Sequence, residues 1–314
     1  MSISFVIWSW LFLVPVIPSV IVAIFTLYHL ISNRTLRSAL HNHVIILLLI
    51  FGLIVSLTDV IWLIYYFRMG IALSTTPAFC LVWLMIGSAI YVLIQVLMAW
   101  ASIERYILIF YPNVLGTKTK RFLFHYLPLI ICVVYPTIFY FIVFIILPCD
   151  RPFYYRAPLC ARYLCLSQYS WLALWDSFFH FLLPAFIIGI FGITLFLRVL
   201  FTRYRVHRRI DWKKYRKLTL QLLPISIVYM ALKCPPMIMF AVYTAGVDLG
   251  VGGKYFVDSI FFSYWSILFT PFASVISLPN LRAKCTKFIC FWRRREAVVP
   301  QRFPMARLNI PRRF

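Results

Sequence analysis

An all-α fold, an integral membrane bundle of seven transmembrane helices with its amino terminus outside, is what the sequence predicts, on three observations. Of 314 residues, 63% are hydrophobic and only 12% charged, far from the roughly half apolar and one-quarter charged composition of soluble domains. Seven apolar stretches are each long enough, at about 1.5 Å per residue, to cross a hydrocarbon core about 30 Å thick as a helix. The connections between them alternate between densely and sparsely basic.

The stretches run from Phe5 to Ile31, Val44 to Phe67, Phe79 to Phe110, Phe122 to Pro148, Leu172 to Leu197, Leu218 to Tyr243 and Val257 to Leu278. None shows the period-two alternation of a membrane strand, so each is assigned a helix. Prolines inside them are tolerable because neighbouring helices can satisfy the freed carbonyls. Pro184, Pro235 and Pro271 are the expected bend points. No basic residue precedes the first stretch and no small-residue cleavage site follows it, which reads as an uncleaved span with a short outer segment. After Pro279, Leu281, Cys285, Phe288, Ile289 and Trp292 fall on one helical face, with Arg282, Lys284 and Lys287 off it. This predicts a short amphipathic helix on the inner leaflet. The chain therefore divides into a transmembrane domain, 1–279, and a cytoplasmic amphipathic helix with a basic tail, 280–314. Cys285 and Cys290 are palmitoylation candidates by position.

A net charge of +23 would suggest a nucleic-acid partner in a soluble protein, but its distribution points elsewhere. One alternating set of connections, with the tail, holds 24 Lys and Arg, and the other set holds five. By the positive-inside rule the rich set is cytoplasmic, so the basic excess serves topology and contact with anionic inner-leaflet lipid. Asn33, in a glycosylation sequon, falls on the cytoplasmic side and is expected to be unused.

Four cysteines lie outside on this topology: Cys80 at the start of the third span, and Cys149, Cys160 and Cys165 in one loop. Clustered extracellular thiols in even number are expected to be bridged. A bond from Cys80 to the loop is expected, with Cys165 the preferred partner and Cys160 the alternative. The preferred pairing leaves Cys149 and Cys160 to each other.

The stretch MAWASIERYILIFYP, Met98 to Pro112, sets Glu104 and Arg105 side by side after 35 residues without charge. Cys80 stands 25 residues before Arg105 and Pro112 seven after it. With seven spans and an outside amino terminus, this arrangement resembles the rhodopsin-like family of G-protein-coupled receptors, whose third helix carries Asp or Glu before Arg-Tyr. The resemblance implies a receptor in the plasma membrane that passes binding of an extracellular ligand to a heterotrimeric G protein by outward movement of the sixth helix. Glu104, Arg105 and Tyr106 would form the coupling switch, the carboxylate lowering the cost of the arginine while remaining able to release it.

Other family positions depart from the pattern. Gly52 stands where a sodium-binding aspartate is usual, LKCPP replaces Cys-Trp-x-Pro around Lys233, and FTPFAS replaces Asn-Pro-x-x-Tyr around Pro271. The aspartate that holds amines in relatives is Gly87, and the retinal-binding lysine is Tyr264. Neither a biogenic amine nor retinal is the expected ligand. Ionisable groups inside spans are functional candidates by default, which names Asp59, Asp176, His180 and Lys233, with Tyr264, as pocket residues. Asp176 and His180, four apart, share a helix face, and Lys233 is expected to need a carboxylate from Asp59 or Asp176.

A membrane channel or transporter is the alternative function, but internal repeats and a ring of charged pore residues are missing. An enzyme is not expected: His29, His41, His43, His125, His180 and His207 form no metal-binding boxes, and no cofactor is implied. Two expectations concern regulation. Near the inner end of the sixth span, Tyr215 and Arg216 replace the acid that restrains the arginine in many relatives, and only Asp211, further out, is acidic. The tail after Lys287 holds no Ser or Thr, so any desensitisation should be independent of tail phosphorylation, with the segment after Trp292 adhering to lipid.

Overall fold

In the computed structural model, seven helices are long and apolar enough to cross a membrane: α1 Phe5–Ser32, α2 Leu40–Met69, α3 Pro77–Phe110, α4 Lys118–Ile146, α5 Ser170–Leu195, α6 Ser226–Tyr243 and α7 Gly253–Val275. The structure describes residues 4–111, 114, 116–148, 152–205, 212–248 and 250–275, and no strand occurs among them. Helices α3 and α4 start ahead of their apolar runs behind a capping threonine, Thr76 and Thr117. Thr76 Oγ1 accepts from the Phe79 N–H at 3.4 Å, with Pro77 in the first turn, where its missing N–H is no loss. Asn33 has a local task, its Oδ1 accepting from the Thr35 N–H at 3.0 Å to cap a single helical turn, Arg34–Arg37.

The chain separates into two units, Met1–Ser277 and Leu278–Phe314. The second unit, with the expected amphipathic helix, Cys285 and Cys290, lies outside the described residues, as do Asp211 and the side chains of Tyr215 and Arg216.

Within the first unit polarity is inverted relative to a water-soluble bundle. Along α1, Phe5, Ile7, Trp10, Val14, Ile17 and Ile21 each expose more than half of their surface. Asp59, Glu104, Arg105, His125, Asp176, His180 and Lys233 are all at most 2% exposed. In water that arrangement would be doubly unfavourable, leaving apolar surface wet and polar groups dry. It suggests a multi-pass membrane protein. Helix α3 runs through the middle, packed on α2, α4 and α5, while α1 joins α2 to α7 and α6 joins α5 to α7.

Several irregular turns fall at polar residues, though one π-helical turn in α4, Ile142–Ile146, holds none. Thr58 Oγ1 donates back to the Ile54 carbonyl at 2.6 Å, and α2 breaks there, so that Asp59 opens its second segment, Asp59–Met69. Helix α7 breaks at Tyr264, between Gly253–Ser263 and Trp265–Val275. Widened π-helical turns occupy Ile86–Ile90 in α3, Phe122–Tyr126 in α4 and Asp176–Leu182 in α5. The last ends two residues before Pro184, whose ring would otherwise press on the carbonyl four residues back, at His180. Pro271 lies inside the second segment of α7, and Pro235 inside the helix Trp212–Thr244 of which α6 is the apolar part.

The disulfide corrects the preferred pairing. Cys80 is bonded to Cys160, with Cα atoms 5.8 Å apart. Cys165 is itself disulfide-bonded and so is not the partner of Cys80, and Cys160 is not bonded to Cys149, which lies outside the described residues. The reason is the path of the loop. The Ala72 N–H donates to the Tyr155 carbonyl at 2.7 Å and the Tyr66 hydroxyl to the Arg156 carbonyl at 3.1 Å, which holds the loop against the ends of α2 and α3. Leu159 and Cys160, at φ 53° and 51°, then turn the chain in the left-handed region and bring Cys160 first to Cys80.

Candidate functional site

At the end of the bundle carrying Cys80, a cavity of about 140 Å³ opens between α3, α5, α6 and α7. Phe181, Met237, Phe240, Phe256 and Ile260 form apolar walls, Leu159 of the disulfide-tied loop covers it, and Tyr91, Ser263 and Tyr264 form its polar side. The Tyr91 hydroxyl is hydrogen-bonded to Ser263, whose own hydroxyl donates to the Ile260 carbonyl at 2.6 Å. Gly87 lines the cavity in close quarters: a Cβ would stand 2.7 Å from Leu159 Cδ2, which would have to shift, and 3.4 Å from Asp59 Oδ2.

Two ionisable groups stand just behind this lining. Asp59 Oδ1 accepts from the Trp83 Nε1–H at 2.7 Å, and Tyr264 faces the same carboxylate, yet Oδ2 has no partner at hydrogen-bond distance. Lys233 lies one turn from Pro236 and Met237 on α6. Its Nζ sits 3.6 Å from the centre of the Tyr91 ring and 5.0 Å from that of Tyr229, with no hydrogen-bond partner. The expected carboxylate is not there, because among the described residues neither Asp59 nor Asp176 forms an ion pair with it. Magnitudes show what this leaves. A desolvated cation–π contact supplies about 2 kcal/mol, whereas removing an ammonium from water costs several. The site is short of an anion.

Asp176 and His180 form a separate clasp between α4 and α5 and are not part of the cavity lining. Asp176 Oδ1 accepts from the Tyr140 hydroxyl at 2.6 Å and from His180 Nδ1–H at 2.7 Å, with His180 on the same helix face as foreseen. Tyr135, whose oxygen accepts from the Trp175 Nε1–H at 3.0 Å, donates to His180 Nε2 at 3.0 Å. Asp176 Oδ1 accepts twice and the Tyr135 hydroxyl both accepts and donates, so these groups satisfy one another and the cluster reads as structural.

At the opposite end of α3, Glu104 and Arg105 are both buried. Glu104 has a neighbour that its flanking sequence does not reveal. Its Oε1 is hydrogen-bonded to His125 Nδ1, His125 Nε2 lies 2.8 Å from His43 Nδ1, and His43 Nε2 lies 2.9 Å from the Arg37 carbonyl. This run ends in an acceptor on both sides, so its three contacts need three protons, whereas two neutral imidazoles carry two. The third belongs either to an imidazole, beside an ionised Glu104, or to the carboxyl. Both assignments leave the triad neutral. Tyr106 packs at an angle against Phe110 and edge-on with Phe191, with the Arg198 guanidinium 5.4 Å from its ring centre.

Sequence reasoning missed Tyr91, Leu159, Trp83 and the pairing of His125 with His43. A usable signal existed for His125, a titratable residue deep in the apolar run Phe122 to Pro148. Among the described residues no group of three His, Cys, Asp or Glu could hold a metal ion. Compared with models of known protein families and with curated proteins, the chain matches none.

Proposed function

We propose that the protein is a rhodopsin-like receptor of the plasma membrane, amino terminus outside, which passes binding of an extracellular ligand to a heterotrimeric G protein through movement of α6. One observation carries this reading: α3 bears a ligand-sized cavity beside Gly87 and Tyr91 at its cystine end, and a buried Glu104-Arg105 pair at its other end. The two lie 18 residues apart, about 27 Å along the helix. Such a helix can transmit an event in the cavity if the bundle has two arrangements that a ligand binds unequally. Helix α6 is placed to move between them, since it contributes Met237 and Phe240 to the cavity and carries Lys233, an uncompensated group. Orientation follows from the basic connections, which turn the Glu104 end towards the anionic inner leaflet.

The test is expression with promiscuous G-protein reporters, with membrane current recorded in parallel. Because neither Tyr215 nor Arg216 carries a carboxylate to pair with Arg105, the resting state is expected to have about 1 kcal/mol less restraint than one with an acid there, several-fold in its equilibrium. Reporter output above empty vector is expected without added ligand. Ligand-independent current with no nucleotide exchange, at verified surface expression, would assign the chain to channels.

A further inference from the structure

We infer that the cavity takes a small apolar or aromatic carboxylic acid, with Lys233 as the anchor of its carboxylate. This rests on the receptor reading for its biological meaning, but not for its chemistry.

The inference comes from asking which polar groups around the cavity remain unspent. Tyr91 donates to Ser263, and Ser263 to the Ile260 carbonyl, so the hydroxyls of the floor are committed. Lys233 Nζ is not. It is buried, has no hydrogen-bond partner, and lies against the face of Tyr91, itself a lining residue. Aromatic faces attract a cation but accept its N–H donors poorly, so a carboxylate arriving beside Tyr91 supplies both the missing charge and the missing acceptor. Lys233 is three and four residues from Pro236 and Met237, which puts it beneath the wall they form. The remaining walls, Phe181, Phe240, Phe256 and Ile260, match an apolar body.

An amine held by Asp59 is the competing chemistry, and the geometry disfavours it. Oδ2 of Asp59 is unspent, but its approach from the cavity passes Gly87, where the Leu159 side chain fills the space. The carboxylate is also served by Trp83 and faced by Tyr264.

The experiment uses the purified full chain in detergent and three probes with one body and different heads: 3-phenylpropionate, 3-phenylpropanol and 3-phenylpropylamine. Thermal unfolding is followed as each is titrated to millimolar concentration, for wild type, Lys233→Met, Lys233→Gln and Asp59→Asn, each referred to its own unliganded Tm. The acid is expected to raise the wild-type Tm, with the alcohol and the amine at least tenfold weaker in half-saturating concentration. Both Lys233 variants should lose the acid effect and Asp59→Asn should keep it. Equal response to acid and alcohol, an acid response that survives in both Lys233 variants, or no response to the acid would overturn the inference. Stabilisation by the amine that disappears in Asp59→Asn would give the site to Asp59 instead. Because the readout is binding, its failure is distinct from failure of coupling: acid binding without nucleotide exchange would keep the site and remove the receptor reading.

Discussion

Arg105→Ala is expected to reach the cell surface and to lose G-protein activation, with reporter output falling to that of empty vector. The structure indicates why so buried a residue can be removed without unfolding the chain. Deleting one partner of a buried ion pair is costly, about 3–5 kcal/mol, because it strands the other charge. Here Glu104 is not stranded. Its carboxylate is bonded to His125, which is backed by His43 and the Arg37 carbonyl, and that run is neutral as a unit. Surface labelling at a third or more of wild type together with absent nucleotide exchange would meet the expectation. Wild-type signalling from this variant would sink the assignment of Arg105 as the coupling residue.

The second large effect has the opposite sign. Lys233→Met should stabilise the unliganded protein, by about 2–4 kcal/mol. Met preserves the length and packing of the side chain while discarding a polar head that, among the described residues, sits against the faces of Tyr91 and Tyr229. The size follows from two opposing effects. Holding an ammonium out of water costs several kcal/mol. Cation–π attraction returns about 2 of these. The check is a thermal or chemical unfolding curve in detergent without ligand, in which a lower Tm for the variant would show that Lys233 has a compensating partner.

How much of this could be read beforehand differs by scale. All seven helices were legible, since hydropathy over some 20 residues is a sum that no single contact can reverse. Helix α1 shows what that sum leaves out: its buried face is marked by small polar residues, Ser9, Ser19 and Thr26, and its exposed one by Phe, Val, Ile and Trp, a contrast that total hydropathy does not register. Irregularities were invisible for a related reason. The break at Thr58 depends on one hydroxyl turning back to Ile54, and the π-helical turns holding Gly87, His125 and Asp176 carry no composition of their own. The choice of Cys160 over Cys165 was decided by hydrogen bonds from Tyr66 and Ala72 to a loop more than 80 residues away.

The candidate site divides in the same way. Asp176 with His180 was legible because both sit on one helix four residues apart. Pairings across helices, Glu104 with His125 and Asp59 with Trp83, were not, because nothing in sequence spacing fixes which faces meet. Lys233 was recognised as exceptional but given the wrong company. The rule that a buried charge needs a counter-charge is sound for a finished structure, and it misleads where the counter-charge can arrive from outside the chain.

Leu159 has a further consequence, which concerns time. The side chain lies over Gly87 on the lining of the cavity, on a loop fastened by the Cys80–Cys160 bond, and if entry passes Gly87 a ligand must wait for this residue to withdraw. Waiting of this kind separates how fast a molecule arrives from how firmly it stays. The observed association rate of an occupant should rise with concentration only at first, then level off at the rate at which Leu159 clears, while apparent affinity falls by the fraction of chains open at any moment. Leu159→Ala should lift that plateau and leave the dissociation rate less changed, and stopped-flow binding would distinguish this from a cavity that stands permanently open, whose rate climbs linearly throughout. A hormone-like pulse shorter than the clearing time would pass such a protein unnoticed, and a sustained one would register.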